Sequence, residues 1–166
     1  EEALCINILK SMSTELVDFP LFKNLNPEAM ELLIPLAEAF RYAPGANIFQ
    51  QGERADYLYL LTHGQVDVCY RPYDGPTPIV THINAGGVFG WSAVIGSKNY
   101  SSGAISVEPS EGWRILGNHL RLLCREHPEA TREILERLAT TVSSRWRDAH
   151  LQVCALLAES MTHTGR

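Results

Sequence analysis

Hydrophobic positions change their period twice along this chain, from a helical spacing to short alternations and back. In the first zone, up to about Ala39, Met30, Leu33, Ile34 and Ala37 recur at the spacing of one helix face. Asn26-Pro27-Glu28 just ahead of them predicts the helix start. Asn26 offers an acceptor for an orphan amide, Pro27 suits the first helical position, and Glu28 suits the positive end of the dipole. Pro35 falls inside the pattern and removes a backbone donor, which predicts a kink or short break. Upstream, Asp18-Phe19-Pro20-Leu21-Phe22 reads as a turn with apolar anchors.

The middle zone, about Phe40 to Leu116, breaks into short strands: Phe40–Tyr42, Asn47–Gln50, Tyr57–Leu61, Gln65–Tyr70, Ile79–Ile83, Ala104–Val107 and Trp113–Leu116. The clearest alternation sets Val66, Val68 and Tyr70 against Gln65, Asp67 and Cys69. Pro44-Gly45, Gln51-Gly52, His63-Gly64, Asp74-Gly75-Pro76 and Gly86-Gly87 punctuate the run. Gly45, Gly52, Gly64 and Gly87 stand where the chain must reverse, a place that often needs φ > 0. Short strands at this spacing predict a β-sandwich or jelly roll, not a parallel α/β sheet.

The last zone is helical again. Asn118 is expected to cap a short helix ending near His127-Pro128, and Pro128 to open a long one. Leu135, Ala139, Val142, Trp146, Ala149, Val153 and Leu156 then fall at alternating four- and three-residue steps, a heptad seam of about three repeats. Ile134 and Leu138 lie on the adjacent face, placed to pack on the strands. A helix from Pro128 to about Ser160 would be about 50 Å long, more than a small barrel covers. The seam therefore predicts a parallel homodimer with Trp146 near its centre. The expected fold is mainly β with flanking helices: an antiparallel β-roll or jelly roll, followed by a long C-terminal dimerisation helix. The expected organisation is one domain over residues 1–166, with helices over 1–39, the roll over 40–117 and C-terminal helices over 118–160.

The 166 residues, 45% hydrophobic and 20% charged, have the composition of a globular protein with one core. No apolar run approaches the roughly 18 residues that a membrane span needs, and no secretory signal opens the chain at Glu1-Glu2. Cys5, Cys69, Cys124 and Cys154 form no CxxC pair, so they are expected as reduced thiols of a cytoplasmic protein. A net charge of −5 argues against nucleic-acid binding by this chain alone, because that affinity rests on Lys and Arg neutralising phosphates. Enzyme constellations are not found. His82 lacks the second His of a metal cupin, and Gly90-Trp91-Ser92-Ala93 is followed by Val94 where a nucleophile elbow needs Gly.

The richest segment runs from Gly86 to Val107, GGVFGWSAVIGSKNYSSGAISV. Gly90 opens a run, Trp91 to Ile95, able to form one helical turn whose first amides suit an anion. Together with Pro44-Gly45-Ala46-Asn47-Ile48-Phe49-Gln50-Gln51-Gly52-Glu53, Ala55-Asp56-Tyr57-Leu58-Tyr59-Leu60-Leu61 and Gly64-Gln65-Val66-Asp67-Val68, it resembles the catabolite-activator-like cyclic-nucleotide-binding family. The Phe-Gly-Trp-Ser-Ala run resembles a divergent bacterial subgroup of it. The resemblance implies a phosphate-binding cassette, with cyclic AMP or another small anionic effector as ligand. It places the site on Phe89, Gly90, Trp91, Ser92, Ala93, Tyr100, Ser101, Ser102 and, from the long helix, His150, with Arg147 and Ser144 beside it.

Two charged positions differ from the family pattern: Trp91 stands where a Glu is usual, and Ser101 (or Tyr100, in a shorter loop) where an Arg is usual. Losing that Arg removes a charge-assisted contact of about 1.5–3 kcal/mol, or about ten- to a hundred-fold in affinity. Lys98 is the one cation in the loop, a point charge without the planar fork. The resemblance further implies a sensory module of a transcription regulator, with DNA reached only through a domain absent from this chain. Two alternatives stand beside this reading. One is an effector-free dimerisation module, with Trp91 and Tyr100 filling the pocket. The other is a haem-based gas sensor, with Cys69 or His82 as axial ligand.

Overall fold

The computed structural model describes residues 11, 14–71 and 78–141. Helix α1 (Pro27–Leu33) starts as its sequence dictates, with the Asn26 side chain accepting from the Glu28 amide at 3.0 Å. Pro35 ends it in a 3₁₀ turn, Ile34–Leu36. Eight strands follow: β1 (Ala37–Tyr42), β2 (Asn47–Phe49), β3 (Tyr57–His63), β4 (Gln65–Tyr70), β5 (Ile79–Asn84), β6 (Val88–Phe89), β7 (Gly103–Ser106) and β8 (Ser110–Leu116). They form two four-stranded antiparallel sheets, ordered β1-β8-β3-β6 and β2-β7-β4-β5. Helix α2 (Gly117–Glu126) and helix α3 (128–141, as far as it is described) close the chain.

The first sheet is covered on both faces, which explains the almost continuous apolar run of β3. Leu58 and Leu60 point to the helices and join Phe19, Phe22, Leu33, Trp113, Ile115 and Leu120 in one core. Tyr59 and Leu61 point the other way, into the roll, and join Phe40, Phe49, Val66, Ile83, Phe89, Tyr100 and Ala104 in a second. Side-chain alternation along a single strand thus divides the molecule into a helix-facing and a roll-facing core.

Helix α3 behaves as its pattern requires. Ile134 and Leu138 are buried in the helix-facing core, and their neighbours Leu135 and Ala139 are exposed. The remaining seam residues (Val142, Trp146, Ala149, Val153 and Leu156) lie outside the described residues, as do Ser144, Arg147 and His150. Arg137 ties α3 to the N-terminal turn through the carbonyls of Leu21 at 2.9 Å and Lys23 at 2.7 Å.

Four local expectations are corrected. Strand β1 begins at Ala37, so the helical zone ends earlier than Ala39; its Ala37–Ala39 end is held by pairing with Ile115, Arg114 and Trp113. Strand β6 is only two residues long, too short to show an alternation. The left-handed residue of the β5–β6 turn is Gly86, at φ +89°, and not Gly87. Asn118 does not cap α2: the helix already begins at Gly117, and the Asn118 side-chain Oδ1 accepts from the Arg121 guanidinium within it. Among the described residues no helix is long and apolar enough to cross a membrane.

Candidate effector site

Within the Gly86–Val107 segment, residues 90–102 form a compact loop between β6, at the edge of the first sheet, and β7 of the second. It turns off β6 at Gly90, whose φ of +84° is accessible to glycine at little cost. A side chain there is also blocked: a Cβ would lie 2.7 Å from the Tyr57 carbonyl oxygen and 3.1 Å from the Tyr59 ring. Trp91–Ala93 then make one 3₁₀ turn. The loop folds back as the Ser97 amide donates to the Ser92 carbonyl at 3.0 Å and the Ser101 amide to the Ser92 hydroxyl at 3.3 Å. Ser92 is buried, and its carbonyl and hydroxyl, but not its amide, are used by these internal contacts.

Tyr100 anchors the return of the loop. Its ring stacks on Phe49 at 3.7 Å between centroids, and its hydroxyl donates to the Tyr57 carbonyl at 2.7 Å while accepting from the Tyr57 amide at 3.0 Å. Backbone bonds from Tyr100 to Glu53 and from Gly52 to Tyr100 tie the same residue to the β2–β3 turn. Burial pushes the phenol up to about 12. Tyr59, deeper in the roll, shifts in the same direction for the same reason, with Tyr100 and Tyr42 adding to it.

The other expected site residues are distributed unequally. Phe89 is fully buried and stacks on Tyr59 at 4.9 Å. Trp91 is half-buried and packs with the helix-facing core, so of the two aromatic residues expected to fill the roll only Tyr100 does so. Ser101 and Lys98 are exposed, and Ser102 is half-exposed at the mouth of the loop. Ala93 is buried against α2: the Gly117 Cβ position lies 2.2 Å from the Ala93 carbonyl oxygen, and that oxygen accepts from Arg121 at 3.0 Å.

Three contributors were not singled out from the sequence. Tyr57 is the floor of the turn, Arg121 fastens the loop to α2, and Arg114 lies on the roll face with its guanidinium 4.1 Å above the Tyr57 ring. The strand alternation assigns Tyr57 and Arg114 to the roll face; their contacts with the loop arise only when β3, β6 and β8 are placed side by side. His82 pairs with Asp67 at 2.5 Å on the outer face of the second sheet, and Cys69 shares that face, so neither reaches the roll interior. No group of three or more metal-ligating side chains occurs among the described residues. Two clefts, of about 660 and 480 Å³, lie outside the Gly90–Ser102 loop, one between the Pro20–Asn24 turn, Gly86–Val88 and α3, and the other beside Arg41 and Glu111.

A cassette closed by a left-handed glycine between two strands of a roll is the arrangement to compare with known domains. The family model for the cyclic nucleotide-binding domain matches residues 39–127. The chain belongs to that family. It is similar to the cyclic AMP receptor protein of Thermus thermophilus, 27% identical over 140 residues that make up 84% of this chain and 63% of the relative. It is also similar to the acetyltransferase Pat of Mycolicibacterium smegmatis, 29% identical over 61% of this chain and 30% of that enzyme. The chain therefore spans less than two thirds of either relative. A cyclic nucleotide-binding domain of Methylobacillus flagellatus superposes with a TM-score of 0.73, covering 90% of this chain and 84% of the other at 17% identity, a likeness of fold alone.

Proposed function

We propose that this chain is the effector-sensing module of a regulator, binding a small anionic or aromatic molecule under the Gly90 turn and pairing through α3. The observation that supports the reading is the tight turn itself. Gly90 sits at φ +84° with no room for a side chain, and the amides of Ser92 and Ser102 donate to no protein acceptor among the described residues. A backbone cradle of this kind suits an oxyanion. Ser102 is half-exposed in the same loop, and on the family resemblance it would supply the hydroxyl while Ser101 stands where a cation is usual. Cyclic AMP is accordingly a weak ligand here. The exposed Leu135 and Ala139 support pairing, since they continue into the seam beyond residue 141.

A second reading, an effector-free dimerisation module, is favoured by one observation: Tyr100 is 5% exposed and stacked inside the roll, where an effector would otherwise reach. Calorimetry with cyclic AMP and cyclic GMP separates the two. The sensing reading expects weak binding to the native chain and about ten- to a hundred-fold tighter binding of cyclic AMP to Ser101→Arg. No heat with either nucleotide in both proteins, together with an unchanged melting temperature across aromatic acids, would leave the effector-free module.

A further inference from the structure

We infer that Arg114 is the anion-recognition residue of this roll, receiving the carboxylate or phosphate of a small effector whose planar part lies beside the half-exposed Tyr57 ring next to the Gly90 turn. This rests on the effector-site reading above. Strand β8 alternates, with Trp113 and Ile115 facing the helices and Arg114 facing the roll. Among the described strand residues of the first sheet, Arg114 is the only Arg or Lys on that concave face; Arg41, on β1, points outward and pairs with Glu111. Around Arg114 lie Glu38 and four aromatic side chains, of which Phe40, Tyr59 and Phe89 are buried in the roll and Tyr57 alone is half-exposed.

The register sets the distance to the cassette. Arg114 pairs with Tyr59, and Tyr59 pairs on its other side with Phe89, the residue before Gly90. Arg114 and the turn thus flank β3, their backbones two strand spacings or about 10 Å apart. That is the span of a small ring-bearing acid. The guanidinium leans inward, 4.1 Å above the ring of Tyr57, whose carbonyl abuts Gly90. Besides its contact with the Tyr57 ring and an interaction with the Tyr59 side chain, its one ion pair among the described residues is with Glu38. Glu38 accepts from Nε alone, at 3.2 Å, with side chains 30% and 49% exposed for Arg114 and Glu38. Exposed pairs of this kind hold weakly, so an incoming oxyanion can take the terminal nitrogens in the bidentate geometry that Arg favours.

The test compares matched anionic and neutral probes by calorimetry: cyclic AMP against adenosine, and phenylacetate against phenylacetamide. In the native chain at least one anion should bind about tenfold or more tightly than its neutral partner. Arg114→Gln should erase that preference while leaving the neutral probe's affinity unchanged, which also reports an intact roll. Arg114→Lys, with charge but no fork, should retain part of it. An anion preference undiminished in Arg114→Gln overturns the assignment and leaves the site reading standing. Binding of none of the four probes to the native chain overturns the site reading, and the role of Arg114 with it.

Discussion

Replacing Tyr100 by Phe removes one oxygen atom and two hydrogen bonds, and nothing else. The ring keeps its 3.7 Å stack on Phe49, so the aromatic packing of the roll is unchanged. What is lost is the partner of both the amide and the carbonyl of Tyr57, at 3.0 and 2.7 Å, in a part-buried position. These groups lie on the edge of β3 beyond the two-residue β6, so no strand takes over the bonds. Stranding such groups costs about 1–3 kcal/mol, against about 1 kcal/mol for a hydrogen bond exchanged freely with water. We expect a loss of about 2 kcal/mol in urea unfolding followed by tryptophan fluorescence, with a lower midpoint and an unchanged m-value. In a chain of this size that corresponds to a melting temperature lower by about 4–8 °C. A loss under about 0.5 kcal/mol would refute the argument, because it would mean that water satisfies Tyr57 once the hydroxyl is gone.

The remaining predictions concern the same loop. Alkaline titration should destabilise the fold. Tyr100 is raised from 10.0 to about 12, so its contribution is fully present below about pH 10 and is lost as pH climbs from 10 to 12, at about 1.4 kcal/mol per unit at most. Tyr59 acts in the same direction. Stability measured by denaturant at successive pH values should fall across that window, and less steeply in Tyr100→Phe; parallel curves would contradict the assignment. Gly90→Ala should cost more than Gly45→Ala. Both residues are left-handed, but only at Gly90 does the new Cβ meet an atom, the Tyr57 oxygen at 2.7 Å, whereas Gly45 has nothing within 4 Å. Backbone strain alone is worth about 1–2 kcal/mol, so equal melting temperatures for the two variants would remove the argument for close approach.

Particular elements show where legibility ended. The Asn26-Pro27-Glu28 helix start and the break at Pro35 were readable because their causes are local: a side-chain acceptor, a fixed φ and a missing donor within a few residues. Strand β4 was read with its full boundaries for a similar reason, since one buried face imposes period two. Asn118 misled because an Asn beside a helical pattern is a sound cap signal, yet Gly117 is drawn into the helix by its close packing on Ala93 and its amide's bond to Asp56. Strand β6 was missed because two residues cannot express a period.

By itself, the sequence determined the order of helix, roll and helix and the family to which the chain belongs. Those properties depend on periodicity, on glycines at reversals and on residue types at fixed spacing, all of which are written along one dimension. Tertiary structure alone decided which side chains occupy the roll. Trp91 turned to the helix-facing core and Tyr100 to the roll, though both stand in the same loop. Arg114 and Tyr57, 57 positions apart, became neighbours of a turn at Gly90 because β8, β3 and β6 lie side by side. The physical reason is that strand pairing converts sequence distance into a spacing of about 5 Å, and no local pattern encodes which strands will pair.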